Sequence, residues 1–270
     1  MPKLAANLSL MFREVNFLER FAAAADAGFS GVECQFPYDH DAADVRARLQ
    51  DHGLTQVLLN LPAGNWGAGE RGIACHPDRI NDFKASVDQA IRYANQLDCK
   101  NVHALAGITP QGVDGERLRA TYVENLKYAT ERLSDEDITL LIEPINTRDI
   151  PGYYLRGTEQ ALDLMTEVGS DNIALQYDIY HMHIMEGDLA LTIEQNLGRI
   201  AHIQLADDPG RHEPGTGNIA YALLLPFLDE IGYSGWVGCE YMPVAATLDG
   251  LGWADAYLKN DHIRGGLSNG

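Results

Sequence analysis

Two hydrophobic periods take turns along this chain from one end to the other. Short runs rich in Leu, Ile, Val and Ala fall at 4–10, 30–36, 55–61, 101–106, 138–145, 173–178, 200–206 and 235–241. Runs of this length between turn-forming residues predict strands. Between them, apolar residues return every three or four positions, over 15–27, 41–52, 79–97, 115–133, 157–168, 187–198 and 220–231. That spacing predicts helices covering one face of a sheet. Leu140-Leu141-Ile142 has no polar alternation, so that strand is expected to be buried on both faces.

Several helices close on glycine before the next strand begins. "DAGFSGVEC" (26–34) and "EIGYSGWVGCE" (230–240) repeat this arrangement almost word for word. Eight strands alternating with helices predict the α/β class and a single (β/α)8 barrel over 1–258, with 259–270 as a C-terminal tail. A doubly wound open sheet is the alternative, but no GxGxxG follows the first strand. One connection breaks the rhythm. Residues 62–78, "PAGNWGAGERGIACHPD", have no clear periodicity and carry Trp66 and a Glu-Arg pair among glycines. A loop of this length in a compact domain is expected to be functional, here an active-site lid rather than a structural Ω-loop.

Composition narrows the class without changing the fold. With 39 acids against 20 bases the net charge is −19, a field that repels nucleic acid and anionic membranes. No apolar run approaches the roughly 20 residues of a membrane span, and the start "MPKLAANLSL" lacks a secretory pattern. Cys34, Cys75, Cys99 and Cys239 show no CxxC spacing, which fits a reducing cytoplasm better than a disulfide or zinc framework. Whether the chain forms a homo-oligomer is left open by its sequence.

In a (β/α)8 barrel the chemistry lies where the strands end. Here the fifth strand runs into Glu143, the sixth into Asp178, the seventh reaches Gln204 and the eighth runs into Glu240. One such acid usually caps a helix or meets an arginine. Four oxygen-bearing side chains on four successive strands point to a shared site. Three converging carboxylates repel one another and take up protons unless a cation sits among them. An all-oxygen set with no cysteine favours Mg²⁺ or Mn²⁺ over Zn²⁺ as a divalent cofactor.

The segments "IEPIN" (142–146), "QYDIYHM" (176–182), "HIQLAD" (202–207) and "GWVGCEY" (235–241) resemble the xylose-isomerase-like barrel superfamily. More closely, "ANLSLMF" (6–12), "NLPAGNWGAGERGIACHP" (60–77) and "RHEPGTGNI" (211–219) resemble the hydroxypyruvate isomerase family, over roughly residues 3–253. The resemblance implies a metal held by Glu143, Asp178, Gln204 and Glu240, with Gln204 where related epimerases carry histidine. It implies Glu143 and Glu240 as the catalytic pair, and interconversion of hydroxypyruvate with tartronate semialdehyde through an enediolate. It also implies that His181 binds a substrate oxygen. Asp149 stands where the epimerases place a further glutamate, and a carboxylate-bearing substrate calls for an arginine, Arg71 in the lid or Arg211 after the seventh strand. His212 and Glu213 could orient Arg211. Glu33, His103 and His183 are read as structural. The rivals are a 2-oxo-tetronate isomerase, a ketose 3-epimerase, a metal-dependent DNA-repair endonuclease and a non-catalytic metabolite-binding barrel.

Overall fold

In a computed structural model that describes residues 1–258, eight parallel strands pair in sequence order and close into a barrel. They are β1 (Lys3–Asn7), β2 (Gly31–Cys34), β3 (Thr55–Asn60), β4 (Asn101–His103), β5 (Thr139–Ile142), β6 (Ile173–Asp178), β7 (Ile200–Leu205) and β8 (Trp236–Cys239). The helices around it are α1 (Arg20–Asp26), α2 (Ala42–Asp51), α3 (Ile80–Leu97), α4 (Gly115–Ser134), α5 (Thr158–Val168), α6 (Ile179–Met185), α7 (Leu189–Gln195) and α8 (Tyr221–Glu230). The 259–270 tail expected from sequence lies outside the described residues.

The eight predicted strands are all present, but most end earlier than their apolar runs. Leu8, Met11, Ala104, Leu105, Ile145 and Tyr241 lie beyond the ladders and are still buried. Apolarity there records packing of the loops around the barrel mouth, not strand pairing. At β1 the chain turns at once, because the Asn7 carbonyl accepts from the N–H groups of Leu10 and Met11. The expected 15–27 helix is a 3₁₀ turn over Phe17–Glu19, opened by an Asn16–Glu19 capping box, followed by α1. α6 is an addition. Seven residues leave no room for a helical period to show, and Ile179 to Met182 are all buried.

The predicted glycine stops work as αL caps. Gly28 has φ +94° and Gly232 φ +81°. In each case the next residue donates back across the helix end, Phe29 to the Ala24 carbonyl at 3.1 Å and Tyr233 to the Leu228 carbonyl at 2.9 Å. One core fills the space between barrel and helices, and a smaller cluster of Ala5, Val57, Leu58 and Leu141 stands apart from it. Leu141 shares a strand face with Glu143, so apolar packing gives way to polar groups within one step of β5. Among the described residues no helix is long and apolar enough to cross a membrane.

Candidate active site

Glu143 follows the last residue of β5, and Pro144, which has no N–H to continue a ladder, ends the strand there. Asp178 ends β6 and also serves as the N-cap of α6, its Oδ1 accepting from the Tyr180 N–H at 2.8 Å. That leaves Oδ2 for the barrel mouth. One helical turn later His181 returns to the same place, its Nε2 3.6 Å from Asp178 Oδ2 and 3.7 Å from Glu143 Oε1. Glu240 follows β8 and is tied to β7 by its N–H to the Leu205 carbonyl. Glu143, Asp178, His181 and Glu240 are all buried, and each offers a ligand atom within 4.8 Å of the others. Three of the four strand-end residues expected from sequence, Glu143, Asp178 and Glu240, therefore converge, and His181 completes the group.

Gln204 sits on β7 beside them within a chain of amides. Its Nε2 donates to Glu33 Oε1 at 2.7 Å, and its Oε1 accepts from Gln176 Nε2 at 2.6 Å. Gln176 also donates to Glu143 Oε2 at 3.0 Å. Asn7 links the other side, donating to Glu33 at 2.9 Å and to Glu240 at 3.3 Å, while Gln35 donates to Glu240 at 2.8 Å. Glu33 accepts from Asn7 and Gln204 and pairs with His202 at 2.7 Å. Gly238 makes room for it: a Cβ at 238 would stand 2.3 Å from Glu33 Oε2. His103 lies 3.6 Å from Glu143 Oε2, and burial drops its pKa to about 3, so it is neutral.

Burial, followed by the charges of Glu240 and Asp178, pushes the Glu143 carboxyl far above the usual carboxylate range. Asp178 and Glu240 are also raised by burial, against the pull of Arg211. Among the described residues Arg211 is the single guanidinium facing all three. Burial works against its charge, but Glu240, Asp178 and Glu143 outweigh burial and raise its pKa. Its Nη2 lies 2.5 Å from Glu240 Oε2 and 3.6 Å from Asp178 Oδ2. Ionised together, the three carboxylates would leave an excess of two negative charges against one guanidinium, which is why burial and mutual repulsion raise them. Glu143 Oε1 and Asp178 Oδ2 are moreover buried without any hydrogen-bond partner. Such oxygens are costly unless a cation answers them, and the donor set fits a divalent metal. His181 is held neutral by burial and by Arg211.

The remaining predicted residues divide. Arg211 reaches the site from a loop in which buried Asp207 accepts from the N–H groups of Asp208, Gly215, Gly217 and Ile219. His212 and Glu213 tie that loop to Met242 and Val244. Asp149 is held at the rim, its Oδ2 accepting from Asn146 at 3.1 Å and from the Tyr180 hydroxyl at 2.8 Å. Arg71 makes no contact with the carboxylates. It stacks 4.2 Å from the Trp66 ring centroid and donates to the Trp66 and Glu70 carbonyls. The lid's Glu-Arg pair is Glu70 with Arg79, not with Arg71. Glu33, Asn146 and Gln176 were not among the expected site residues. Gln176 stands two residues before Asp178 on the same strand face, a period-2 signal that was there to be read.

Residues 21–257 match the family model described as xylose isomerase-like TIM barrel. The chain is 52% identical over 257 residues to the hydroxypyruvate isomerase of Escherichia coli (strain K12), covering 95% of this chain and 100% of that protein. It is 48% identical over 258 residues to the 2-oxo-tetronate isomerase of Cupriavidus necator, covering 96% of this chain and 99% of that one. A crystal structure described as AP endonuclease, family 2, from Brucella melitensis superposes with a TM-score of 0.94 at 48% identity, covering 96% of this chain and 100% of that chain. With strand ends, barrel and relatives in agreement, the chain is an enzyme of the isomerase class and belongs to the xylose isomerase-like TIM barrel family.

Proposed function

We propose that this enzyme interconverts hydroxypyruvate and 2-hydroxy-3-oxopropanoate (tartronate semialdehyde) with the help of Mg²⁺ or Mn²⁺. The observation that carries this reading is the buried group of Glu143, Asp178, His181 and Glu240, with two carboxylate oxygens left without partners. Glu143, Asp178, Gln204 and Glu240 would hold the metal, which when bound supplies positive charge for the substrate's oxygens. In the reaction a proton leaves C3, beside the ketone, and one arrives on C2, while a hydroxyl proton passes from O3 to O2. Glu143 and Glu240 carry the proton that moves between the carbons. Burial raises both carboxyls in the metal-free protein and a bound cation would pull them back down, and a group that both takes and returns a proton works best with its pKa near the working pH.

His181 meets a substrate oxygen, and Arg211 meets the substrate carboxylate. Support for the latter is Arg211 Nε, a buried N–H without a partner. Arg71 is a second carboxylate partner if the lid carries it inward, and Asp149 with Tyr180 faces the distal end of the substrate. We place the enzyme in the cytoplasm, a compartment supported by four free, buried cysteines.

A panel of hydroxypyruvate, 2-oxo-tetronates, free ketoses and an abasic-site duplex, each with Mg²⁺ or Mn²⁺, tests the reading. Turnover of hydroxypyruvate above the others is expected. No hydroxypyruvate turnover with any divalent ion would overturn it, and preference for the four-carbon acid would move the assignment to 2-oxo-tetronate.

A further inference from the structure

His181 could play either of two parts in this site. It lies with the three carboxylates closely enough to be a metal ligand, yet an N–H aimed at substrate would serve equally well. Which part it takes depends on which ring nitrogen carries the proton, and that is decided on the far side of the ring by Asn146.

Asn146 is fully buried at the end of the "IEPIN" segment. Its Oδ1 accepts from the Asp149 backbone N–H at 2.8 Å. Its Nδ2 lies 3.1 Å from Asp149 Oδ2 and 2.6 Å from His181 Nδ1. A backbone N–H can only donate, so the amide oxygen must face it. Asp149 Oδ2 already accepts from the Tyr180 hydroxyl at 2.8 Å, so the amide nitrogen belongs on that side. Turning the amide over would set donor against donor and acceptor against acceptor. The orientation is thus fixed twice, and the amide N–H points at His181 Nδ1. That nitrogen must present a lone pair, which leaves the ring proton on Nε2.

We infer that Asn146 is a positioning residue that fixes His181 as the Nε2–H tautomer, making this histidine a donor to a substrate oxygen and not a ligand to the metal. A metal-bound histidine needs its lone pair on the ligating nitrogen and gives its other N–H to an acceptor. Here the other nitrogen meets a donor instead. Nε2 faces Glu143 Oε1 and Asp178 Oδ2 at 3.7 and 3.6 Å, too far for hydrogen bonds to either. A fixed N–H there answers negative charge as it builds on a substrate oxygen. The metal's fourth protein ligand is then the neutral oxygen of Gln204. The inference rests on the proposed function for its substrate, but the tautomer is a property of the ligand-free protein and is tested separately.

Long-range ¹H–¹⁵N correlation spectra of the labelled protein read the tautomer directly, with His181 assigned by the signals lost in H181N. The expected pattern is Nδ1 bare and Nε2 protonated, unchanged when Mg²⁺ alone is added. N146D replaces the donor by an acceptor of the same shape. It should move the proton to Nδ1 and lower kcat on hydroxypyruvate by about 10²–10³-fold, the usual cost of losing an oxyanion donor, with KM little changed. N146A, with neither group, should show both tautomers. The inference is overturned if the wild-type proton is on Nδ1, if Nε2 loses its proton on adding Mg²⁺, or if N146D keeps the wild-type pattern. If N146D fails to fold, the wild-type and N146A spectra decide. The expected tautomer in a protein inactive on hydroxypyruvate would keep this inference and remove only the substrate assignment.

Discussion

Replacing Asp178 by asparagine should stabilise the metal-free enzyme and at the same time remove its response to metal. The substitution keeps the N-cap, because an asparagine oxygen can still accept from the Tyr180 N–H. What it removes is one charge from a buried group holding three carboxylates. At an effective dielectric constant of about 20, each like pair within the 4.8 Å cluster costs about 3 kcal/mol. Arg211, 3.6 Å from Asp178, returns about 4 to 5 kcal/mol on the same scale. Glu143 holds its proton in the metal-free protein, so Arg211 outweighs the one repulsion left, from Glu240, and the net penalty comes from burial. Raising Asp178 from 3.8 to about 7 corresponds to about 4 kcal/mol against its ionised form, or about 8–16 °C in Tm for a domain of this size.

The pH dependence gives the sign. Burial, with Glu240, raises Asp178 from the usual 3.8 to about 7 even though Arg211 opposes them. The folded chain therefore keeps a proton that the unfolded chain has released, and metal-free wild type loses stability as pH rises from about 4 to about 7. D178N escapes its share of that loss. Its advantage should be clear at pH 8 in EDTA and shrink at pH 5. Mg²⁺ at about 100 times its Kd should return about 2.7 kcal/mol to wild type and far less to D178N. Differential scanning fluorimetry at both pH values, with EDTA or Mg²⁺, measures all four states. The reasoning is refuted if metal-free D178N melts no higher than wild type at pH 8, or if Mg²⁺ raises both proteins equally.

E143Q and E240Q should each reduce hydroxypyruvate turnover by at least about 10²–10⁴-fold while the circular dichroism spectrum stays that of the wild type; near-normal activity in either would remove it from the proton path. G238A should lower Tm, since its Cβ would meet both Glu33 carboxylate oxygens within 2.5 Å, at a cost of about 1–3 kcal/mol for overpacking. An unchanged melt would mean that Glu33 has room to move. R71A should raise KM for hydroxypyruvate with little change in Tm if the lid brings Arg71 to the substrate; kinetics identical to wild type would leave the carboxylate to Arg211.

The fold was legible because a (β/α)8 barrel is written in two alternating hydrophobic periods, and each of the eight strand runs landed on a strand. The meeting of the three strand-end acids was legible for a related reason, since a polar group closing an apolar strand has few places to go except the barrel mouth. Even the commonplace roles of such acids are present. Asp178 does cap a helix and Glu240 does meet an arginine, each with one oxygen, while Asp178 Oδ2 is still left over. The residues that support the site were not legible. Glu33, Asn146 and Gln176 act through the direction of an amide or carboxylate relative to neighbours 33 to 171 positions away along the chain. One-dimensional patterns carry no such information. Arg71 illustrates the same limit: a lid position is visible in sequence, but its stacking on Trp66 is not.

Charge counting explains why an amide, and not a fourth acid, belongs at position 204. Glu143, Asp178 and Glu240 against Arg211 leave two negative charges, which one divalent ion neutralises. A glutamate at 204 would leave three and would face Glu33 across the 2.7 Å now bridged by an amide N–H. Two carboxylates at that distance cannot both stay ionised, so one would hold a proton and compete with the metal for it. Glutamine offers an oxygen without a charge, but only if its amide cannot turn. Glu33 takes the N–H end and so keeps the oxygen toward Gln176, whose amide also donates to Glu143. The buried acid beneath the site thus decides which atom of Gln204 the metal would meet, just as Asn146 decides whether His181 Nε2 would meet the substrate with an N–H or with a lone pair.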